Sequence, residues 1–316
     1  MKNYSNIILH IPHASRNLPD SFFKNKEGKE LLLKESSSLI DYFTDELFRP
    51  HSANDRRFIM LVPDYCRTLC DVERLRNDPL ESRGMGILYG KGKKRSRFAL
   101  KEGVDNQLLA YYDDYHAKAA EIIRSCPFPI IIDCHSFSSH STELVTMTPE
   151  MAAIDICLGF NDDKSCPPAE LINQVQEYFT GKGYKVALNR PFSNSKTFDT
   201  GGHPCHSLMI EVNKRLYMDE EKTEIKQEPF NKLRNDLMEL YSIIKPRNIS
   251  EMTAREFAEW MEAKSPGSCT ELLSMLNTAK ATTTEQTASQ TRIVTFRFIR
   301  YPSTLRQTKN GPETTE

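Results

Sequence analysis

A chain of 316 residues can hold one large domain or two small ones, and length alone does not choose. Its 42 Lys and Arg against 43 Asp and Glu leave a formal charge of −1, which offers nucleic acid no electrostatic footprint. No run of about 18 apolar residues is present for a membrane span, and Asn3, Tyr4, Ser5 and Asn6 ahead of a brief apolar run do not make a signal peptide. The expectation is a cytoplasmic protein with neither nucleic-acid nor membrane partners.

In chain order, a first strand is expected over 7–11 and a second over 58–62. A helix follows over 104–124, where Leu108, Leu109, Tyr112, Tyr115, Ala119, Ile122 and Ile123 recur on one face. Residues 129–133 read as the third strand. Pro167-Pro168 opens a helix through Leu171, Val175 and Phe179, and Gly181 and Gly183 close it. Further strands are expected over 185–188 and 208–212. The last long helix spans 224–244 and carries Phe230, Leu233, Leu237, Leu240 and Ile243. The strand runs are short, apolar and mostly without alternation, the pattern of strands buried on both faces. Strands alternating with helices predict an α/β sandwich with long inserted loops.

A boundary is expected near Lys245-Pro246-Arg247, ending a catalytic domain over 1–245. Two capping boxes, Thr253 with Glu256 and Ser268 with Glu271, predict short helices over 246–277. The tail over 278–316 is expected to be disordered, since 278–291 is rich in Thr, Gln and Ser with little to bury. Residues 292–299 alternate in polarity, as an isolated strand or a fused end would, and the sequence does not choose. The basic run 91–97 reads as a solvated loop. The eight cysteines are scattered, unlike a disulfide scaffold, and are expected to be free thiols.

The residues that carry chemistry lie where strands end. His10 and His13 follow the first apolar run, His135 follows Ile130, Ile131 and Ile132, and Glu211 closes Leu208-Met209-Ile210. Open α/β sheets bind ligands at the carboxyl ends of their strands. Zinc takes imidazole and carboxylate ligands, and a catalytic site leaves one position for a water that it acidifies. Against this stands the plainer reading of core and surface histidines. Asp41, with apolar residues on both sides, is either an acidic ligand or the N-cap of a helix through Phe43, Leu47 and Phe48. Glu211 is a general base or a salt-bridge partner of Lys214 or Arg215. Arg74 is a carboxylate clamp or the partner of Asp71 or Glu73. Ser136, just after His135, suits a cleft-lining loop, and Asp133 shares the strand face of His135. A G-x-S-x-G elbow and a P-loop are both lacking in the sequence.

Several ordered pieces together resemble the N-formylglutamate amidohydrolases. They are Pro12-His13-Ala14, Asp41-Tyr42-Phe43-Thr44-Asp45, Asp71 with Arg74, Tyr115-His116 and Asp133-x-His135-Ser136. Leu158-Gly159, Ser165-Cys166, His206, Glu211 and Tyr217-Met218-Asp219-Glu220 complete them. The resemblance implies a zinc-peptidase-like three-layer fold, a mixed and mainly parallel sheet between helices. It implies a zinc-dependent hydrolase that splits N-formyl-L-glutamate into formate and glutamate, late in histidine degradation. One Zn2+ would be held by His13, Asp41 and His135, with Glu211 as general base. Arg74 would bind a substrate carboxylate or polarise the scissile carbonyl, with His116 and His206 lining the cleft. The segment Asn189-Arg190-Pro191-Phe192 lies where the family contacts the substrate, so Asn189 is expected there. The family's glycine-rich continuation is replaced by Ser193-Asn194-Ser195. A different N-acyl amino acid or a peptide-like amide is therefore an alternative substrate, and an inactive binding protein a third reading.

Overall fold

The apolar runs of the sequence form the middle of a six-stranded sheet. The computed structural model describes residues 7–52, 55–90, 98–126, 128–141, 146–244 and 254–264, and parts of 267–276. Its strands are β1 Ile7–His10, β2 Phe58–Leu61, β3 Ile130–Phe137, β4 Ile156–Gly159, β5 Val186–Leu188 and β6 His206–Asn213. A short hairpin of β7 Met218–Asp219 and β8 Glu224–Ile225 follows. The helices are α1 Lys26–Ser36, α2 Thr44–Leu47, α3 Val104–Ser125, α4 Pro149–Ala152, α5 Ala169–Gly181, α6 Gln227–Ile243 and α7 Ala254–Lys264.

β2, β1, β3 and β6 run parallel, β4 pairs antiparallel with β6, and β5 runs parallel to β4. The sheet is mixed and mainly parallel, as expected. Successive side chains of a strand face opposite sides, and both sides are apolar here. Ile7, Leu9, Ile132, Leu208 and Ile210 share a core with Val175 and Phe179 of α5 and Leu233, Leu237 and Leu240 of α6. Ile8 and Ile131, one residue out of phase, pack with Ala119 and Ile123 of α3. Each such buried aliphatic side chain contributes about 1.5–3 kcal/mol, and helices on both faces make this an α/β sandwich.

Local details differ from the expectations in ways that physics explains. β3 runs on through His135 and Ser136 to Phe137, because β6 pairs with it along that whole length; Ser136 is a buried strand residue and not part of a loop. The last long helix starts at Gln227, since Glu224 and Ile225 are paired with Asp219 and Met218. α5 ends as the sequence predicts: Gly183 takes a left-handed φ of 87°. Its amide donates to the Thr180 carbonyl and the next amide, Tyr184, to Phe179. β4 was not expected as a strand at all.

All eight cysteines are free and five are buried. The described residues through Leu273 form one unit, and a second begins at Ser274. α7 belongs to the first and packs against α3, with Ala258 buried. Thr253 and Ser268, the expected caps, lie outside the described residues, as do 91–97, the 245–247 boundary, 277–291 and the alternating stretch 292–299. Among the described residues no helix is long and apolar enough to cross a membrane.

Candidate active site

Three parallel strand ends converge on one buried polar cluster. In the sheet register His10 lies beside Asp133 and His135 beside Glu211, so all four side chains leave the sheet on the same side. The chain then turns at Pro12, and the His13 carbonyl accepts the Asp41 amide at 3.0 Å. That bond brings the loop after α1 over the strand ends. Lys214 Nζ donates to the Ile40 carbonyl at 2.7 Å and the Ser136 amide to Asp41 Oδ2 at 3.2 Å, holding the loop there.

Asp41 does not cap a helix. α2 starts after Phe43, which has a left-handed φ of 64° and supplies no side-chain cap. The Thr44 hydroxyl closes this turn on the Asp41 carbonyl at 2.8 Å, and the Asp41 carboxylate is left to face the histidines. Its Oδ2 lies 3.6 Å from His13 Nδ1 and 3.2 Å from His135 Nδ1. The two imidazole centroids are 4.9 Å apart.

The opposite edges of both rings meet further acids. His13 Nε2 lies 3.0 Å from Asp71 Oδ1 and 3.2 Å from Glu73 Oε2. His135 Nε2 lies 3.2 Å from both Glu73 Oε1 and Asp133 Oδ1. Among the described residues, three groups of side chains therefore have donor atoms close enough to hold a cation: His13, Asp41 and His135; His13, Asp71 and Glu73; and Glu73, Asp133 and His135. They differ in how far their carboxylates are already engaged. Asp71 accepts from Arg67 at 3.0 Å and from the Tyr89 hydroxyl at 2.8 Å, with Arg74 Nε at 3.5 Å. Asp133 is bonded to His10 Nδ1 at 2.7 Å and to the Lys196 amide at 2.7 Å. Beyond the two rings, Asp41 accepts one amide on its carboxylate among the described residues. Two ring nitrogens have no hydrogen-bond partner: His13 Nδ1, which faces Asp41, and His135 Nε2, which faces Glu73 and Asp133.

Charge supports the same conclusion. Burial would lower the His135 imidazole, but Glu73, Asp133 and Asp41 outweigh it and push it well above its usual range. Burial pushes the Glu211 carboxyl up to about 8; His135 opposes this while Asp41, Glu73 and Asp133 reinforce it. Burial would also raise Glu73, yet His135 and His13 beside it hold it down at about 2. A divalent ion that binds such a cluster displaces protons from its ligand atoms. The donor set of imidazole and carboxylate suits zinc.

Glu211 is buried with Oε2 unpartnered, so it forms no salt bridge to Lys214 or Arg215. Lys214 goes to Ile40 and Arg215 to Asp155 at 2.5 Å. Arg74 reaches the cluster through Asp71, and its Nε has no hydrogen bond. Ser136 takes part through its amide. His116 stands on α3 with Nε2 2.8 Å from the Val72 carbonyl, so it braces the segment carrying Arg74. Two expected residues are not brought to the histidines. His206 pairs with Ile130 at the start of β6, about 16 Å along the strand from Glu211 at roughly 3.3 Å per residue. Exposed Asn189 accepts the Phe160 amide at 2.9 Å and ties β5 to the end of β4, two strands from β6. The substituted segment reaches the cluster through buried Lys196, whose Nζ donates to the Glu73 carbonyl at 2.9 Å. Glu73 and Lys196 were missed, since a lone acid and a lone lysine carry no local signal.

A family model described as N-formylglutamate amidohydrolase matches residues 5–218, more than half of the chain. The chain belongs to that family. It is accordingly an amidohydrolase, and the matched stretch spans His13, Asp41, Arg74, His135 and Glu211. A solved N-formylglutamate amidohydrolase from Ralstonia eutropha JMP134 aligns with a TM-score of 0.59 and 21% identity, covering 76% of this chain and 93% of that one. A gene product of Agrobacterium tumefaciens aligns with a TM-score of 0.50 and 16% identity over 76% of this chain and 92% of its own. At these identities the two structures speak for the fold of this amidohydrolase. No curated protein matches it in sequence.

Proposed function

We propose that this amidohydrolase hydrolyses N-formyl-L-glutamate to formate and L-glutamate, using one zinc ion held by His13, Asp41 and His135. The observation that carries this reading is a single carboxylate oxygen, Asp41 Oδ2, faced by both Nδ1 atoms at 3.6 and 3.2 Å, with Glu211 next to His135 in the sheet. When bound, the ion supplies Lewis-acid polarisation of the carbonyl and makes water easier to deprotonate.

The chain supplies the rest. Glu211 Oε2 faces no competing hydrogen bond, and it accepts the proton of the attacking water and passes it to the leaving nitrogen. The water oxygen bonds to the formyl carbon, the C–N bond breaks, and formate and the amine leave. A carboxyl poised near neutrality can both take and return that proton. The Arg74 guanidinium binds a substrate carboxylate as a fork. Residues 1–245 form the catalytic part in this reading, with a small-molecule substrate and the cytoplasm as the site of action.

A second reading keeps the chemistry and changes the acyl-amino acid. It is favoured by Lys196, which follows the departing Ser193-Asn194-Ser195 segment and is buried beside Glu73.

Amine release from a panel of N-acyl amino acids by the zinc-loaded enzyme tests both. Turnover of N-formylglutamate is expected, with Glu211→Gln lowering kcat by about 10²–10⁴. Preference for another acyl group supports the second reading. Inertness toward the whole panel with zinc bound overturns both.

A further inference from the structure

We propose that the far edge of His135 holds a second divalent cation, ligated by His135 Nε2, Glu73 Oε1 and Asp133 Oδ1, with the ring bridging it to the first. The inference goes beyond the one-ion reading and rests on it only for the ion at Asp41. Of the three donor groups around the two rings, two are faced by a buried ring nitrogen without a hydrogen-bond partner. His13 Nδ1 faces the Asp41 group, and His135 Nε2 faces the group of Glu73 and Asp133. In the remaining group His13 Nε2 is bonded to Asp71 at 3.0 Å, and Asp71 also accepts from Arg67 and Tyr89. An imidazole that ligates a metal nearly always donates its other N–H to an acceptor. His135 does not, although two carboxylate oxygens lie 3.2 Å from its Nε2.

Atoms that are close but unbonded are what a shared ion requires of its ligands. Two atoms about 2.1 Å from one cation and about 100° apart around it are roughly 3.2 Å from each other. Each then lies off the axis along which the ring nitrogen would donate. The three donor atoms lie within 4.8 Å of one another. Asp133 is already aimed, because His10 Nδ1 holds its Oδ1 at 2.7 Å and the Lys196 amide holds its Oδ2 at 2.7 Å. The backbone of Glu73 is fixed too: its carbonyl accepts from Lys196 Nζ at 2.9 Å and its amide donates to Asp71 Oδ1 at 3.1 Å. Among the described residues neither acid has a lysine or arginine in salt-bridge contact, so each lacks the cation that Asp71 finds in Arg67. The Glu73 side chain keeps 19% exposure, which opens a way in from solvent. Two oxygens and one nitrogen suit a divalent transition ion, manganese or zinc. Binding sends the remaining ring proton of His135 to solvent and leaves one ring nitrogen on each ion.

The test uses the full chain, stripped with a chelator, and counts the zinc bound at equilibrium by wild type, Asp41→Asn and Glu73→Gln. Two ions are expected in wild type and one in each variant, since each substitution removes a ligand of a different ion. Should Glu73→Gln not fold, zinc-loaded crystals of wild type replace it, and anomalous scattering is expected to show an ion on each edge of His135. One ion in wild type, lost in Asp41→Asn and kept in Glu73→Gln, overturns the second site and leaves the one-ion reading standing. A single anomalous peak beside Asp41 does the same. Two ions in both wild type and Glu73→Gln put the second ion elsewhere and overturn the proposal. One ion that survives Asp41→Asn and is lost in Glu73→Gln overturns Asp41 as a ligand and upholds the site at Glu73. A wild type that binds no zinc overturns both readings.

Discussion

At the scale of single residues, Arg74 is where chemistry and specificity separate. Its guanidinium Nε sits 3.5 Å from Asp71 Oδ2 but makes no hydrogen bond. A planar fork can meet a substrate carboxylate with two bonds, which an ammonium cannot do. Arg74→Lys is therefore expected to raise KM about tenfold or more, the equivalent of one lost charge-assisted bond of ~1.4 kcal/mol or above, with kcat preserved. Steady-state kinetics check it. Equal losses in kcat and kcat/KM would instead place the guanidinium on the developing charge of the carbonyl.

At the scale of elements, the antiparallel strand β4 is wedged against the loop that delivers Lys196. A Cβ on Gly159 would come within 2.3 Å of Met209 Cε and 2.5 Å of the Asn194 carbonyl oxygen. The methionine tip can swing aside but the carbonyl can move only with its loop. Gly159→Ala is expected to cost about 1–3 kcal/mol in urea unfolding. Below the sheet, Asp236 of α6 accepts from Tyr184 at 2.6 Å and from Lys232 at 2.9 Å, with Lys182 at 3.6 Å. Burial would raise its carboxyl, but these partners outweigh burial and lower it. A lowered native value means stability that is present above the ordinary carboxylate range near pH 4. It is lost as pH falls through the native value. Asp236→Asn is expected to cost about 1–2 kcal/mol at neutral pH, and urea midpoints of variant and wild type should converge in acid.

Taken whole, the molecule gathers buried Asp41, Asp71, Asp133 and Glu211 and half-buried Glu73 around two imidazoles at one end of its sheet. Under the proposed zinc reading, cation binding and folding are coupled, because the ligand atoms are gathered only in the native state. Zinc at a hundred times its dissociation constant is expected to stabilise the fold by about 2.7 kcal/mol. For a unit of this size that is a rise in Tm of roughly 5–10 °C, reversed by chelator. A melting temperature indifferent to zinc would deny the native state a preformed site.

β1, β3 and β6 were legible because the stretches of them buried on both faces are apolar runs. The ends of those runs located His13, His135 and Glu211. β4 was not legible: Ile156-Cys157-Leu158-Gly159 is too short to show a period, and its direction is a property of its partner β6. His206 was misjudged for a related reason, since residue type says nothing of which end of a strand it occupies. Whether Asp41 caps a helix or faces the histidines could not be read locally, because both uses ask for a short acid. The backbone turn at Phe43 and the amide of Ser136, 95 residues away, decide it. The sequence by itself determined an α/β sheet carrying chemistry at its strand ends, because burial and periodicity are written locally. The tertiary structure alone decided which acids share the two imidazoles, since Asp71, Glu73 and Asp133 meet them only when distant segments close on one another.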